Sequence, residues 1–265
     1  MERCDYMEEY LEFAKKLAIE SGKIMREYFY GKENKVLFKE DKTPVTEADR
    51  LINSYVIGQV KRNYPSHSVD GEEEKYLTSS KYVWVLDPID GTSMFTRHTP
   101  VSVFSIALVV DGKVCVGVVY DPFLDEMYTA IKGMGAFLNG KSIHVNNIEY
   151  GTLGSSIDIC MWNNAKYDTL KLIEEIRKNN KTCQVGSTAH ASMLVARGLI
   201  SAEIFPGTSH GHCDTAASSL IVSEAGGKVT NFKGEEQLYD RDIDGCILSN
   251  GIIHDKILNL IKKNY

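Results

Sequence analysis

The 265-residue chain has no long basic run and no CxxC pair, and no apolar stretch approaches the roughly 20 residues of a membrane span. Each absence closes off a class of function. Lys and Arg total 30 against 36 Asp and Glu, a net charge of −6, so no nucleic-acid partner is expected. Cys4, Cys115, Cys160, Cys183, Cys213 and Cys246 are scattered, which argues against a zinc knuckle and fits reduced cytosolic thiols. The opening MERCDYMEEYLEF carries acids where a signal peptide needs basic and then apolar residues. No GxGxxG follows a strand pattern, which disfavours a dinucleotide-binding fold. Repeats are absent, as is any linker rich in Pro, Ser or Gly. An apolar content of 43% and a charged content of 25% are ordinary for a globular chain. The expectation is a soluble cytoplasmic protein with no membrane partner.

What is present is an alternation of periods. Residues 5 to 29 and Thr46 to Tyr64 place apolar residues at helical spacing, and Pro65 follows the second run. VSVFSIALVV, Asp111-Gly112 and KVCVGVVY read as two strands around a DG turn. EMYTAIKG adds a third strand, making an antiparallel meander. Further on, YDTLKLIEEIRKN, STAHASMLVARGL, CDTAASSLIVSEAGG and HDKILNLIKK read as helices, with Gly226 or Gly227 closing the third. SAEIF, KVTNF and DGCILSN read as short strands. The expected fold is α+β, with a boundary near residue 150: an N-terminal subdomain over 1–150 abutting a C-terminal one over 151–265.

The chemistry concentrates in carboxylates. In WVLDPIDGT, Asp87 and Asp90 close an apolar strand, and Pro88 fixes its own φ and removes a backbone donor. Acids in such a place cost solvation free energy unless something compensates them. A turn there can aim both carboxylates and the Ile89 carbonyl at one point, with Gly91-Thr92 opening a short helix toward an anion. Taken singly, each acid has a plainer role. Asp90 and Asp214 read as helix caps, Asp49 as the far member of a capping box with Thr46, and the GEEE run around Glu72 as a solvated charge cluster.

Together these motifs carry a resemblance. KEDKTPVTEAD, DGEEE, WVLDPIDGT and CDTAASSLIVSEAGG occur in the order and rough spacing of the inositol monophosphatase family, magnesium-dependent and lithium-sensitive phosphomonoesterases. The similarity runs nearly end to end and includes KGMGAF, whose Gly133 and Gly135 match a family hairpin. It implies a layered αβαβα sandwich and a dimeric enzyme, hence an expected homodimer. It also implies two to three Mg²⁺ ions held by Glu72, Asp87, the Ile89 carbonyl, Asp90 and Asp214, all hard oxygen donors. By the same resemblance, Glu72, Thr92 and Asp49 activate a water for in-line attack. Asp90, Gly91, Thr92, Ser93 and Asp214 face the phosphate ester, and Gly186, Ser187 and Thr188 sit in the loop that touches the alcohol.

Three positions depart from the family pattern: Met94 where Asn is usual, Cys213 where Trp is usual, and Gly207 where an inositol-binding glutamate falls. They make myo-inositol 1-phosphate a doubtful fit, and His210 and His212, just before Asp214, are candidates to line the pocket. The expected substrate is inositol monophosphate or another sugar or polyol phosphate. Fructose 1,6-bisphosphate, histidinol phosphate and a nucleotide 3′-phosphate are the alternatives within the class. A catalytically inactive metal-binding or interaction protein is the alternative outside it, and it predicts a lost ligand that this chain retains.

Overall fold

Alternation along one strand sets the architecture. In Tyr82–Asp90, Trp84 and Leu86 point into one core and Val85 into another, all three no more than 1% exposed, so both faces of the sheet are covered. The computed structural model describes residues 2–31, 35–39, 43–162 and 165–265. In chain order its helices are α1 Glu2–Tyr30, α2 Glu47–Asn63, α3 Thr92–Phe95, α4 Leu170–Arg177, α5 Thr188–Ala196, α6 Gly211–Glu224 and α7 His254–Asn264. The strands are β1 Val36–Phe38, β2 Pro44–Thr46, β3 Ser68–Gly71, β4 Lys75–Tyr76, β5 Tyr82–Asp90, β6 Val103–Val110, β7 Lys113–Asp121 and β8 Glu126–Ile131. They continue with β9 Ala136–Leu138, β10 Lys141–Ser142, β11 Ser156–Ile159, β12 Lys181–Cys183, β13 Ala202–Phe205, β14 Lys228–Thr230 and β15 Cys246–Ser249.

Two sheets organise these elements, beside a small β1–β2 ribbon. The larger runs β10-β9-β8-β7-β6-β5-β3-β4 and is antiparallel except where β3 lies parallel to β5. The smaller runs β12-β11-β13-β15-β14, with β11 parallel to both neighbours. Ala14 and Leu17 of α1 and Ile52 and Val56 of α2 pack with Trp84, Leu86 and Phe104 on the outer face of the larger sheet. Its inner face meets Met193 of α5 and Ala216 and Leu220 of α6, which also cover Leu248 of the smaller sheet. Leu172 and Ile176 of α4 and Ile257 and Ile261 of α7 close the far face against Ile157 and Ile247. The result is an α+β sandwich layered αβαβα. Among the described residues, no helix is long and apolar enough to cross a membrane.

Several sequence expectations hold in detail. The β6–β7–β8 meander forms, and α2 opens with a complete capping box between Thr46 and Asp49. Gly226, at φ 89°, follows the Ala225 C-cap of α6. Cys160, Cys183, Cys213 and Cys246 are free thiols. Other expectations change. The turn expected at Pro88 is a bulge within β5, which runs on to Asp90: the pairs Asp87↔Ser105 and Asp90↔Val103 leave one extra residue on β5. α6 starts at Gly211 rather than Cys213, so Asp214 lies inside its first turn and His210 is the N-cap. β3, β11 and β12, of four, four and three residues, escape the sequence reading. In KEDKTPVTEAD, residues 40–42 lie outside the described residues.

Candidate active site

The β5 bulge brings the acids together. The Ile89 amide donates to Asp87 Oδ1 at 3.0 Å, which folds the chain over Pro88, and the Ile89 carbonyl accepts from Thr92 Oγ1 at 3.0 Å. Gly91 then adopts φ 86°, and a Cβ there would lie 2.9 Å from Ser187 Cβ, so glycine is required by both conformation and space. α3 is a single turn whose first amides have no intrahelical acceptor.

Glu72, Asp87 and Asp214 each offer a carboxylate oxygen within 4.8 Å of the others. They come from three places: the end of β3, the end of β5 and the first turn of α6. The Asp87 and Asp214 carboxyls also share a hydrogen bond. Burial, followed by mutual repulsion, pushes both acids well above the ordinary carboxylate range. The same three acids, with Ile89, Asp90, Gly91, Thr92 and Ser93, line a cavity of about 490 Å³. A cation among these oxygens would relieve the repulsion, and a set of hard oxygen donors without a neutral nitrogen suits Mg²⁺. The residues therefore fit the metal that the family resemblance implies.

Asp90 stands slightly apart from the three. Its Oδ2 accepts from the Ala189 amide at 2.6 Å and from the Ser187 hydroxyl, so it serves as an acceptor at the start of α5, a helix remote in sequence. Burial raises its pKa to about 6 against these two hydrogen bonds, which lower it. Asp49, fully buried, divides its oxygens. Oδ2 completes the capping box by accepting from Thr46 N at 2.8 Å and Thr46 Oγ1 at 2.5 Å, while Oδ1 lies 3.5 Å from Thr92 Oγ1. Burial raises Asp49 to about 7, opposed by Thr46 and reinforced by Glu72 and Glu73. The capping role and a place beside Thr92 are thus compatible.

Several contacts have no signal in the sequence. Lys39 Nζ is 2.7 Å from Glu72 Oε1 and 2.5 Å from Glu73 Oε1, an ammonium seated on the acid cluster. The GEEE run is held rather than merely solvated: Asn53 Oδ1 accepts from the Glu73 and Glu74 amides at 3.3 Å, and the Glu72 amide donates to Leu86 O at 3.0 Å. The Asn53 side chain leaves no room for a Cβ at Gly71, which explains that glycine.

The rim away from the acids is formed by Trp162, Thr208, Ser209 and His210. His212 is not among the lining residues. It is buried, with Nε2 3.1 Å from Asp70 and Nδ1 3.2 Å from Asp242. Ser187 and Thr188 are buried beneath Asp90, also behind the cavity wall, and Met94 fills the space over Gly186. Gly207 has φ 75°, and a Cβ would lie 2.9 Å from Gly245 N, so this backbone leaves no place for an acid side chain. Cys213 is buried, its thiol 3.7 Å from the Asp70 carbonyl.

Comparison with known proteins agrees with this geometry. Residues 6–264 match the model of the inositol monophosphatase family. Inositol monophosphatase 2 of Solanum lycopersicum is 33% identical, over 97% of this chain and all of that protein. Fructose-1,6-bisphosphatase/inositol-1-monophosphatase of Thermotoga maritima is 31% identical, over 96% of each. The structure of a Thermotoga maritima IMPase superposes with a TM-score of 0.86 at 30% identity, covering 96% of this chain and 97% of that one. The chain belongs to the inositol monophosphatase family and is a phosphoric monoester hydrolase.

Proposed function

We propose that this enzyme hydrolyses a small sugar or polyol phosphate with two to three Mg²⁺ ions, as a lithium-sensitive cytoplasmic homodimer. The observation that carries the reading is the convergence of Glu72, Asp87 and Asp214 within 4.8 Å on the wall of a cavity large enough for a sugar phosphate. Glu72, Asp87, the Ile89 carbonyl, Asp90 and Asp214 are the proposed ligands. When bound, the ions supply positive charge for the phosphate and lower the pKa of a coordinated water.

The chain's own groups do the rest. Thr92 Oγ1 sits between the Ile89 carbonyl and Asp49 Oδ1, so its proton can pass from one acceptor to the other while the hydroxyl orients a water. Glu72, half-buried on the cavity wall, is the proposed acceptor of that water's proton. Gly91, Thr92 and Ser93 line the cavity, and the amides of this single turn are the proposed donors to phosphate oxygens. Gly186, Ser187 and Thr188 act from behind, setting Asp90 and the wall against which the alcohol rests. The alcohol itself meets Trp162, Thr208, Ser209 and His210, with no acid at position 207 to bind a vicinal diol, which favours a broader sugar phosphate over myo-inositol 1-phosphate.

A phosphate-release screen tests this reading. The panel is inositol 1-phosphate, fructose 1,6-bisphosphate, histidinol phosphate and adenosine 3′,5′-bisphosphate, each with Mg²⁺ and with chelator. The expected result is Mg²⁺-dependent release that is greatest for the sugar and polyol esters. Preference for the nucleotide would overturn the substrate class, and no release from any ester would overturn the catalytic reading.

A further inference from the structure

A second cluster of metal-binding side chains lies inside the smaller sheet. In the parallel ladders, Asp158 of β11 is paired with Cys183 of β12 on one side and Glu203 of β13 on the other. Paired residues point to the same face, and Cys160, two residues beyond Asp158, joins them. This is the face beneath α5, where aliphatic side chains are the rule: Ala189, Met193 and Leu248 belong to the same core. Asp158, Cys160 and Glu203 are 1%, 3% and 0% exposed, and one ligand atom of each lies within 4.8 Å of the other two.

The network satisfies itself only in part. Glu203 Oε2 accepts from Ser192 Oγ, and Cys160 Sγ lies 3.6 Å from Glu203 Oε1 and 3.5 Å from Thr188 Oγ1. Asp158 Oδ1 accepts from the Val185 amide at 2.7 Å. Asp158 Oδ2, in a residue 1% exposed, has no hydrogen-bond partner in good geometry, the Cys183 thiol being the polar group beside it. An orphaned carboxylate oxygen in a core costs about 1–3 kcal/mol, more when charged. In a tetrahedral site with bonds of about 2.0–2.3 Å, ligand atoms stand roughly 3.5 Å apart, so small side-chain rotations close this group around an ion.

We propose that Asp158, Cys160 and Glu203 form a second, buried metal site for a thiophilic divalent ion such as Zn²⁺ or Co²⁺, distinct from the all-oxygen cluster in the catalytic cavity. One thiolate with two carboxylates selects a borderline-soft ion, whereas Mg²⁺ prefers oxygen alone. Without a cation, burial and then repulsion raise Cys160 and Glu203 well above their ordinary values, which keeps both protonated, while burial raises Asp158 only to about 6. Binding therefore releases the thiol and carboxyl protons to solvent and strengthens as the pH rises. Half-buried Cys183, on the edge strand β12, is the ladder partner of Asp158. Because α5 carries both Thr188 and Ser192 over this site and Ala189 under Asp90, an ion there ties that helix to the sheet.

The experiment is a Co²⁺ titration of metal-stripped protein in excess Mg²⁺, which keeps the oxygen cluster occupied. The expected result is a thiolate-to-cobalt charge-transfer band that saturates at one equivalent. The band is lost in Cys160→Ser and retained in Cys213→Ser, the variant that lacks the thiol nearest the catalytic acids. Should Cys160→Ser not fold, the isosteric Glu203→Gln is expected to weaken Co²⁺ binding by about 10-fold or more. No band in the native protein overturns the proposal. So does a band that survives Cys160→Ser or disappears in Cys213→Ser, and so does unchanged Co²⁺ affinity in Glu203→Gln.

Discussion

The Ala189 amide donates to Asp90 Oδ2 at 2.6 Å, joining an acid at the end of one sheet to a helix 99 residues further along the chain. Asp90 is thus both a proposed metal ligand and the acceptor that completes the start of α5. The two roles separate in Asp90→Asn. Asparagine keeps an oxygen for Ala189 and Ser187 but removes one charge from a mutually repelling set. The metal-free variant is expected to melt no lower than the metal-free native protein. It should also lose the stabilisation by Mg²⁺, and phosphate release should fall on the order of 100-fold, the effect of about 3 kcal/mol of lost charge stabilisation. Thermal melts with and without Mg²⁺, alongside turnover, check both parts. A variant with native turnover would remove Asp90 from the ligand set.

Lys39 lies 2.7 Å from Glu72 and 2.5 Å from Glu73, one ammonium shared by two acids of the cavity. Replacing it with methionine keeps the stem and removes the ammonium. The expected outcome is a lower melting temperature for the metal-free protein and tighter Mg²⁺ binding by several-fold, since the ion no longer competes with an ammonium for Glu72. Calorimetric titration of Mg²⁺ into both proteins measures it. Weaker binding in the variant would mean that Lys39 organises the ligands instead of competing for them.

Gly207 is the position at which an acid would be grafted to seek inositol selectivity. Its φ of 75° and the Gly245 amide nitrogen 2.9 Å from the site of any Cβ argue that the graft fails structurally. Gly207→Ala is expected to cost about 1–2 kcal/mol from left-handed strain, before any contact is counted. Gly207→Glu should be at least as costly without a gain for inositol 1-phosphate over other esters. Denaturant unfolding and a substrate comparison read the two effects. A stable Gly207→Glu with sharpened inositol preference would show that the backbone adapts.

How much of this was readable in advance differs by residue. Asp87, Asp90, Glu72 and Asp214 stand in short local motifs, and the family resemblance those motifs carry is what joined them into one expected site. The partners that shape it were not legible. Ser187 and Ala189 reach Asp90 across 97 and 99 residues, and Lys39 reaches Glu72 across 33. No periodicity encodes such pairings. The meander β6–β8 was legible because its strands are long and joined by a tight turn. β11 and β12 were not, because strands of four and three residues in parallel pairing take their stability from neighbours distant in the chain. The histidines divided for a similar reason: His210, the N-cap of α6, reaches the cavity, and His212, two residues on and inside the helix, is held by Asp70 and Asp242.

His254 offers a test of electrostatics away from the acids. It is fully buried, with Nε2 2.9 Å from Thr230 Oγ1 and Nδ1 2.8 Å from Ser249 Oγ. Burial, helped by Lys228, lowers its pKa from 6.5 to about 4. The unfolded chain therefore binds a proton that the folded ring refuses, and its contribution, complete above pH 6.5, is lost as the pH falls toward 4. The raised carboxyls of the acid cluster act in the opposite direction, so the comparison is between native protein and His254→Gln. The urea midpoint of the variant is expected to fall less steeply on acidification over that window, from a lower starting value. Parallel slopes would contradict a neutral buried ring.

The central claim is that a carboxylate cluster catalyses phosphate ester hydrolysis only when divalent ions neutralise it. Protein stripped with chelator and then titrated with Mg²⁺, with phosphate release from a sugar phosphate followed at each step, addresses it directly. The account predicts negligible release from stripped native protein, full recovery as Mg²⁺ is restored, and no recovery in Asp87→Asn at any Mg²⁺ concentration. Release that persists in the stripped protein, or that Asp87→Asn recovers in full, would contradict it.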